Sequence, residues 1–216
     1  ALGNNALAAI TTGDSNVGIG YLAGDTMTDT GHCVLIGYNA GTAINHANSN
    51  YTVAIGSGAG RSINTTSAGA PNTVVGGNAG QALTTGSSNA LLGYQAGYSL
   101  TTRSNCVYIG YDAGYTLDGA NGNIAIGKNA MKSSGTAANN DASYNVAIGY
   151  HSLTAITDGD NNVAVGSSSL DAANATETGN VAIGDSAMSG VDEGENAGSD
   201  TVSADDNVAI GRNALF

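Results

Sequence analysis

The sequence predicts an all-β solenoid, one coil per repeat, and three observations lead there. The first is a phrase, Asn-Val-x-Ile-Gly followed by two variable residues and a small one, that recurs along the whole chain. Counted on its glycine it falls at Gly3, Gly20, Gly37, Gly56, Gly76, Gly93, Gly110, Gly127, Gly149, Gly166, Gly184 and Gly211, twelve copies, the first truncated at its start. The second is the spacing: six of the eleven intervals are 17 residues, and the others (18, 19, 20, 22 and 27) are longer, never shorter. A fixed period with insertions and no deletions means one structural unit per repeat, each leaning on its neighbours. The third is composition. With 33 glycines, 1 proline and only 10% charged residues, the chain is neither collagen-like nor a charged disordered segment. Residues 1–216 are therefore read as a single repeat domain, a segment of a longer fibrous chain.

Each repeat opens on a short strand. One residue before the glycine stand Ile19, Ile36, Ile55, Ile148, Val165, Ile183 and Ile210, and three before it Val17, Val34, Val53, Val146, Val163, Val181 and Val208. Residues two apart share a strand face, and β-branched side chains favour strands. These two columns are expected to stack from coil to coil as the aliphatic core ladders. The intervening column holds Gly18, Ala54, Ala125, Ala147, Ala164, Ala182 and Ala209, with larger apolar residues in the other copies and no charge. A strand apolar on both faces is buried on both sides. A thin coil has one interior, so this second face is expected to pack on another chain.

The rest of the repeat supplies the remaining walls. Seven residues after the glycine come Ile10, Met27, Ile44, Ile63, Leu83, Leu100, Leu117, Ile156 and Val191, a further ladder interrupted by Ser134 and Ala173. Three after the glycine every copy past the first has Ala or Ser, which predicts a tight corner. The insertions follow the seventh-residue column, so extra residues leave from one edge as loops, where variable recognition sits on rigid scaffolds. Four before the glycine, Asn16, Asn72, Asn89, Asn123, Asn145, Asn162, Asn180 and Asn207 form a column able to bond turn backbone and to ladder. Cys33 and Cys106 replace Asn in two copies. Four coils at ~4.8 Å each hold them far beyond disulfide reach, so both are expected to be free, buried thiols.

The formal net charge is −12, and 14 of the 17 acidic residues lie from Asp112 onward. Such a chain does not suit nucleic acid or an anionic membrane as partner, and no stretch reads as a membrane span. His32, His46 and His151 fall in different repeats, and no nucleophile, base and orienting acid cluster in sequence, so no enzyme is expected. No cofactor is expected. The acidic loops Asp158-Gly159-Asp160-Asn161-Asn162 and Asp192-Glu193-Gly194-Glu195-Asn196 hold oxygen ligands of the kind calcium takes, without a complete calcium-loop motif. Tyr21, Tyr38, Tyr94 and Tyr111 follow the repeat glycine, with Tyr98 and Tyr115 a few residues on. Stacked one coil apart, they offer an aromatic strip for sugar rings, or a ladder that packs the corner.

The phrase in the form Asn145 to Ser152 and Asn180 to Ala187 resembles the head repeat of YadA-like trimeric autotransporter adhesins. The longer tyrosine-containing form, Gly93 through Asn105, is similar to repeats of bacteriophage tail fibres. The resemblance covers essentially the whole chain. It implies a left-handed parallel β-roll of about 12 coils of about 17 residues, with three chains side by side about a common axis, and the Val and Ile of the phrase filling the roll. The adhesin heads favour a shorter period, which points to the fibre-like branch. The function expected is a structural and adhesive segment of an extracellular homotrimeric fibre, on a virion or a cell surface, whose loops contact host glycan or protein. The alternatives are a subunit of an end-to-end stacked extracellular filament and an ice-binding solenoid. The latter would need a flat threonine grid that this chain does not carry.

Overall fold

The computed structural model describes residues 1–45, 49–64, 71–118, 121–133, 141–171, 178–189 and 205–215. The fold is an all-β parallel β-solenoid, and the chain divides into two compact units, Ala1–Ile109 and Gly110–Phe216. The first unit contains β1 (Val17–Ile19), β2 (Val34–Ile36), β3 (Val53–Ile55), β4 (Thr73–Val75), β5 (Ala90–Leu92) and β6 (Val107–Ile109). Each pairs in parallel with the next, in the register that superposes the repeats: Val17 on Val34, Gly18 on Leu35, Ile19 on Ile36. The truncated first phrase adds a single bridge, Leu2 to Ile19. The second unit contains β7 (Ile124–Ile126), β8 (Val146–Ile148), β9 (Val163–Val165), β10 (Val181–Ile183) and β11 (Val208–Ile210), paired in the same way. Val191, Ser134, Ala173, His46 and the acidic loop at 192–196 lie outside the described residues.

Every strand is three residues long because the phrase punctuates both its ends. On the leading side the asparagine column closes a turn against the next coil. Asn145 donates through Nδ2 to the Gly159 carbonyl at 2.8 Å, and its Oδ1 accepts the Asn162 backbone N–H at 2.7 Å. The same bond recurs from the Asn180 N–H to Asn162 and from the Asn207 N–H to Asn180, both at 2.9 Å, and in the first unit from the Asn89 N–H to Asn72 at 3.1 Å. A buried amide needs such partners, and the column supplies them coil by coil. On the trailing side the repeat glycine takes a φ between +125° and +144°, as at Gly20 and Gly149, where a side chain is strained. Non-glycine residues two and four after it are also left-handed, Gln95 and Leu153 among them, so the coil turns sharply through this stretch.

The strands carry their faces the opposite way from the sequence expectation. The middle residue of each described strand is interior: Leu35, Ala54, Val74, Tyr108, Ala125, Ala147, Ala164 and Ala182 are fully buried. Ala209 is nearly so, and Gly18 lies on the same side. The residues assigned to the core ladder point out. Val17, Ile19, Ile148, Ile183, Val208 and Ile210 are exposed, and Val34, Ile36, Val53, Ile55, Val146, Val163, Val165 and Val181 are half-buried. Val17 retains 42% of its accessible surface and Ile148 38%, against 0% for Ala147 between its two neighbours. The residues Gly18, Ala54, Ala125, Ala147, Ala164, Ala182 and Ala209 are thus not an inter-chain face. They are small because the coil is narrow and the wall opposite already fills it.

That wall is built as expected from the seventh-residue column, where Met27, Ile44, Ile63, Leu83, Leu100, Leu117 and Ile156 are buried. The Ala/Ser corner is closed too, from Ala23 through Ser169 and Ala187. A further column, four residues after the glycine, completes the interior and trades volume with the strand's middle residue. In three coils of the first unit a large strand residue is matched with glycine, Leu35 with Gly41, Val74 with Gly80 and Leu91 with Gly97, whereas Gly18 with Gly24 and Ala54 with Gly60 are small at both positions. A Cβ on Gly41 would lie 2.8 Å from Leu35 Cδ2, and one on Gly97 would lie 3.0 Å from Leu91 Cδ2. In the second unit an alanine is matched with a long side chain: Ala125 with Met131, Ala147 with Leu153, Ala164 with Leu170, Ala182 with Met188. Those four long side chains are buried.

This exchange predicts a rescue. Leu91→Ala opens a cavity and is expected to cost about 2–5 kcal/mol. Gly97→Leu overfills the coil and costs about 1–3 kcal/mol. The double variant converts the coil to the pattern of the second unit, where Leu153 already sits at φ 52°. Its thermal midpoint is expected well above the value obtained by adding the two single losses. Additive losses would show that the two columns do not share one space.

Candidate interaction surface

Two outward features of the coils could meet a partner. The first is the aliphatic face left by the reversed strands. In the second unit it runs as two parallel columns, Ile124, Val146, Val163, Val181, Val208 and Ile126, Ile148, Val165, Ile183, Ile210, held in register by the strand pairing. In the first unit the corresponding columns begin with Val17, Val34, Val53 and Ile19, Ile36, Ile55. Scattered exposed aliphatics are ordinary, but an ordered, contiguous apolar strip marks an interface.

The second feature is the column directly after the glycine. Tyr21 and Tyr38 stack one coil apart, with ring centroids at 5.4 Å and planes 13° apart. Tyr94 and Tyr111 are exposed in their own units. In the second unit Lys128 stands between two tyrosines, its Nζ 5.7 Å from the Tyr111 ring centre and 5.9 Å from that of Tyr150. Each such contact is worth about 0.5–1 kcal/mol where exposed. Lys132 Nζ lies 5.7 Å from the centre of the Tyr115 ring and 2.8 Å from Asp112 Oδ2. The hydrogen bond to the nearly buried Asp112 pushes the Lys132 pKa up. Tyr98 and Tyr115 are half-buried against the coil rather than on the exposed strip. Tyr98 lines an open cavity of about 240 Å³ with Arg61, Ser62, Gln81 and Ala82. Sequence reasoning missed that cavity, whose residues lie five and six after the glycine and differ from copy to copy.

The first acidic loop is used within the coil stack. Asp160 Oδ1 accepts the Ser143 backbone N–H at 2.6 Å, Asp158 Oδ1 that of Asp141 at 3.4 Å, and the Gly159 carbonyl holds Asn145. Among the described residues no group of three or more His, Cys, Asp or Glu side chains is arranged to hold a metal ion. Among them, too, no helix is long and apolar enough to cross a membrane. His32 stacks on Tyr51 at 5.0 Å, and His151 Nε2 lies 2.9 Å from Asn129 Nδ2. The two belong to different units.

Cys33 and Cys106 are free and buried. Both sit in the asparagine column, and the Cys33 backbone N–H still bonds Asn16 Oδ1 at 2.9 Å. The Cys33 thiol points at the Ser49 carbonyl, 3.5 Å away, the position that Asn89 Nδ2 reaches on Arg103 in its own coil. Burial raises the Cys33 pKa from 9.0 to about 11. The fold therefore favours the neutral thiol: its contribution is complete below about pH 9 and is lost as pH rises through about 11. Cys33 is expected to resist a thiol reagent at pH 8 until the chain unfolds. Cys33→Asn is expected to extend the ladder and to flatten the loss of stability in that alkaline window. Rapid labelling of the native chain at Cys33 would contradict the buried geometry.

No protein-family model, no curated protein and no solved structure matches the chain.

Proposed function

We propose that the chain is a structural and adhesive segment of an extracellular fibre, in which three copies run side by side with their strand faces turned inward. The single observation that carries this reading is the aliphatic face. Val and Ile of the phrase form in-register columns that an isolated chain leaves partly in water. A parallel sheet is ordinarily covered on both faces. Here one cover is the coil's own interior, and the other is a second copy of the same surface. A partner built from the same repeat matches it in period along its length. Three chains and a left-handed roll follow from the resemblance to adhesin heads and tail fibres. That resemblance also supports placement on a virion or cell surface, with the exposed tyrosines of the coils as host contacts.

The function is mechanical and non-covalent: stacked ladders give stiffness, and outward side chains give contact. Sedimentation equilibrium of the intact chain tests it, with the mass of three chains expected across the accessible concentration range. A monomer refutes the assembly, and masses growing without limit with concentration favour an open filament instead.

A further inference from the structure

One cavity of the first unit lies in a stretch, residues 30–111, that carries no Asp or Glu. Arg61, Gln81 and Tyr98 occupy the same position, five residues after the glycine, in three consecutive coils. They form a row about 10 Å long, from two coil spacings. Ser62 and Ala82 line the same hollow, of about 240 Å³. Arg61 is one of only five basic residues in a chain of net charge −12. Among the described residues its guanidinium makes no ion pair, and the Gln81 amide and Ser62 hydroxyl make no side-chain hydrogen bond. The backbone beneath is fixed: the Arg61 carbonyl accepts the Ala43 N–H at 2.9 Å, and the Ala82 N–H donates to the Tyr98 carbonyl at 3.1 Å.

We propose that this hollow binds a carboxylate-bearing sugar, the acidic residue of a host glycan. The guanidinium offers a planar fork that meets a carboxylate with two parallel hydrogen bonds. One coil on, the Gln81 amide both donates and accepts, and the Ser62 hydroxyl does the same beside Arg61, as ring hydroxyls require. One coil further, Tyr98 offers a ring that covers the apolar face of a pyranose. Residues 30–111 carry no Asp or Glu, so the neighbouring coils add no carboxylate that would repel an anion. A single exposed guanidinium holds a simple anion weakly, so the hydroxyl and stacking contacts are what select an acidic sugar over it. The inference rests on the surface-attachment reading only for the source of the ligand, since every residue of the hollow belongs to one unit.

Saturation-transfer NMR on the intact chain tests it, with a sialic acid-terminated trisaccharide, a glucuronic acid-containing disaccharide, lactose and acetate as probes. Transfer is expected to at least one of the two acidic sugars at millimolar concentration, and not to lactose. Arg61→Ala is expected to weaken binding at least tenfold and Gln81→Ala severalfold, while Arg212→Ala, outside the hollow, leaves it unchanged. Equal transfer to lactose, displacement by acetate as effective as by the sugar, unchanged binding in Arg61→Ala, or no transfer to either acidic sugar each overturns the proposal. The oligomer mass is measured on the same samples. A trimer that ignores acidic sugars refutes the hollow alone, and a monomer that binds them refutes the fibre alone.

Discussion

Gly149→Ala is expected to abolish folding of the second unit or to cost it more than about 4 kcal/mol, a loss that single substitutions reach only by a specific steric or electrostatic fault. The fault here is geometric. Gly149 has φ 144°, and a Cβ on it would lie 2.2 Å from the Gly166 carbonyl oxygen and 2.6 Å from its carbon. Neither atom belongs to a movable side chain. Relief requires the two coils to part, and the bonds that join them are short: Val146 N–H to the Asn162 carbonyl and Gly166 N–H to that of Ile148, both 2.8 Å. The backbone conformation adds about 1–3 kcal/mol of its own. Gly166 repeats the arrangement against Gly184, at 2.3 Å, so displacement at one coil is passed to the next. Gly77→Ala is the control. That glycine is not left-handed, and its Cβ would meet only the exposed Tyr94 ring, at 3.3 Å. Circular dichroism melts should show Gly77→Ala close to the parent and Gly149→Ala without a cooperative transition at the parent's midpoint. A Gly149→Ala chain that melts like the parent would mean that the coils are not stacked at this distance.

That glycine column is the reason so much of the fold is legible in the sequence. A residue that must be glycine in every coil, with strand residues always just before it, sets both the period and the strand positions. The seventh-residue column and the Ala/Ser corner are legible for the same reason, since each has one role and keeps one kind of side chain. The polarity of the strand was not legible from β-branching and apolar character. Val and Ile on one face and Ala on the other are both apolar, and bulk alone does not say which face lies inside a narrow coil. The deciding signal is the reciprocity between Leu91 and Gly97 in one coil and Ala147 and Leu153 in another, because only residues that share an interior need to trade volume. The left-handed residues such as Gln95 and Leu153 were hidden too, for outside glycine and asparagine no residue type announces that conformation. The hollow around Arg61 was hidden by its irregularity: Arg61, Gln81 and Tyr98 occupy one column but share no chemistry until the coils bring them together.

The reversed strand also makes a prediction in which the two possible orientations give opposite results. Ile148→Asp and Ile183→Asp place carboxylates on the outward face, where both residues keep 38% of their surface accessible. In an isolated coil a charge there remains in water and the β-sheet signal persists. In a side-by-side assembly the same charge, repeated on every copy, meets its like across the interface and loses its water. The double variant is therefore expected to sediment as a folded monomer, with the parent's circular dichroism and a mass one-third of the parent's. Ala147→Asp behaves in the opposite way. Ala147 is fully buried, with Ala125 and Ala164 paired on either side, and an aspartate there brings an unpaired charge into an apolar interior. That variant is expected to lose its sheet signal altogether rather than to dissociate. Were the isoleucines inside and the alanines between chains, the outcomes would exchange: the isoleucine variants would unfold, and Ala147→Asp would give the folded monomer. Sedimentation and circular dichroism on the same samples separate the two arrangements, because one reads the contact between chains and the other the coil itself. A double isoleucine variant that stays folded and keeps the parent's mass would remove the aliphatic face as the contact on which the fibre is built.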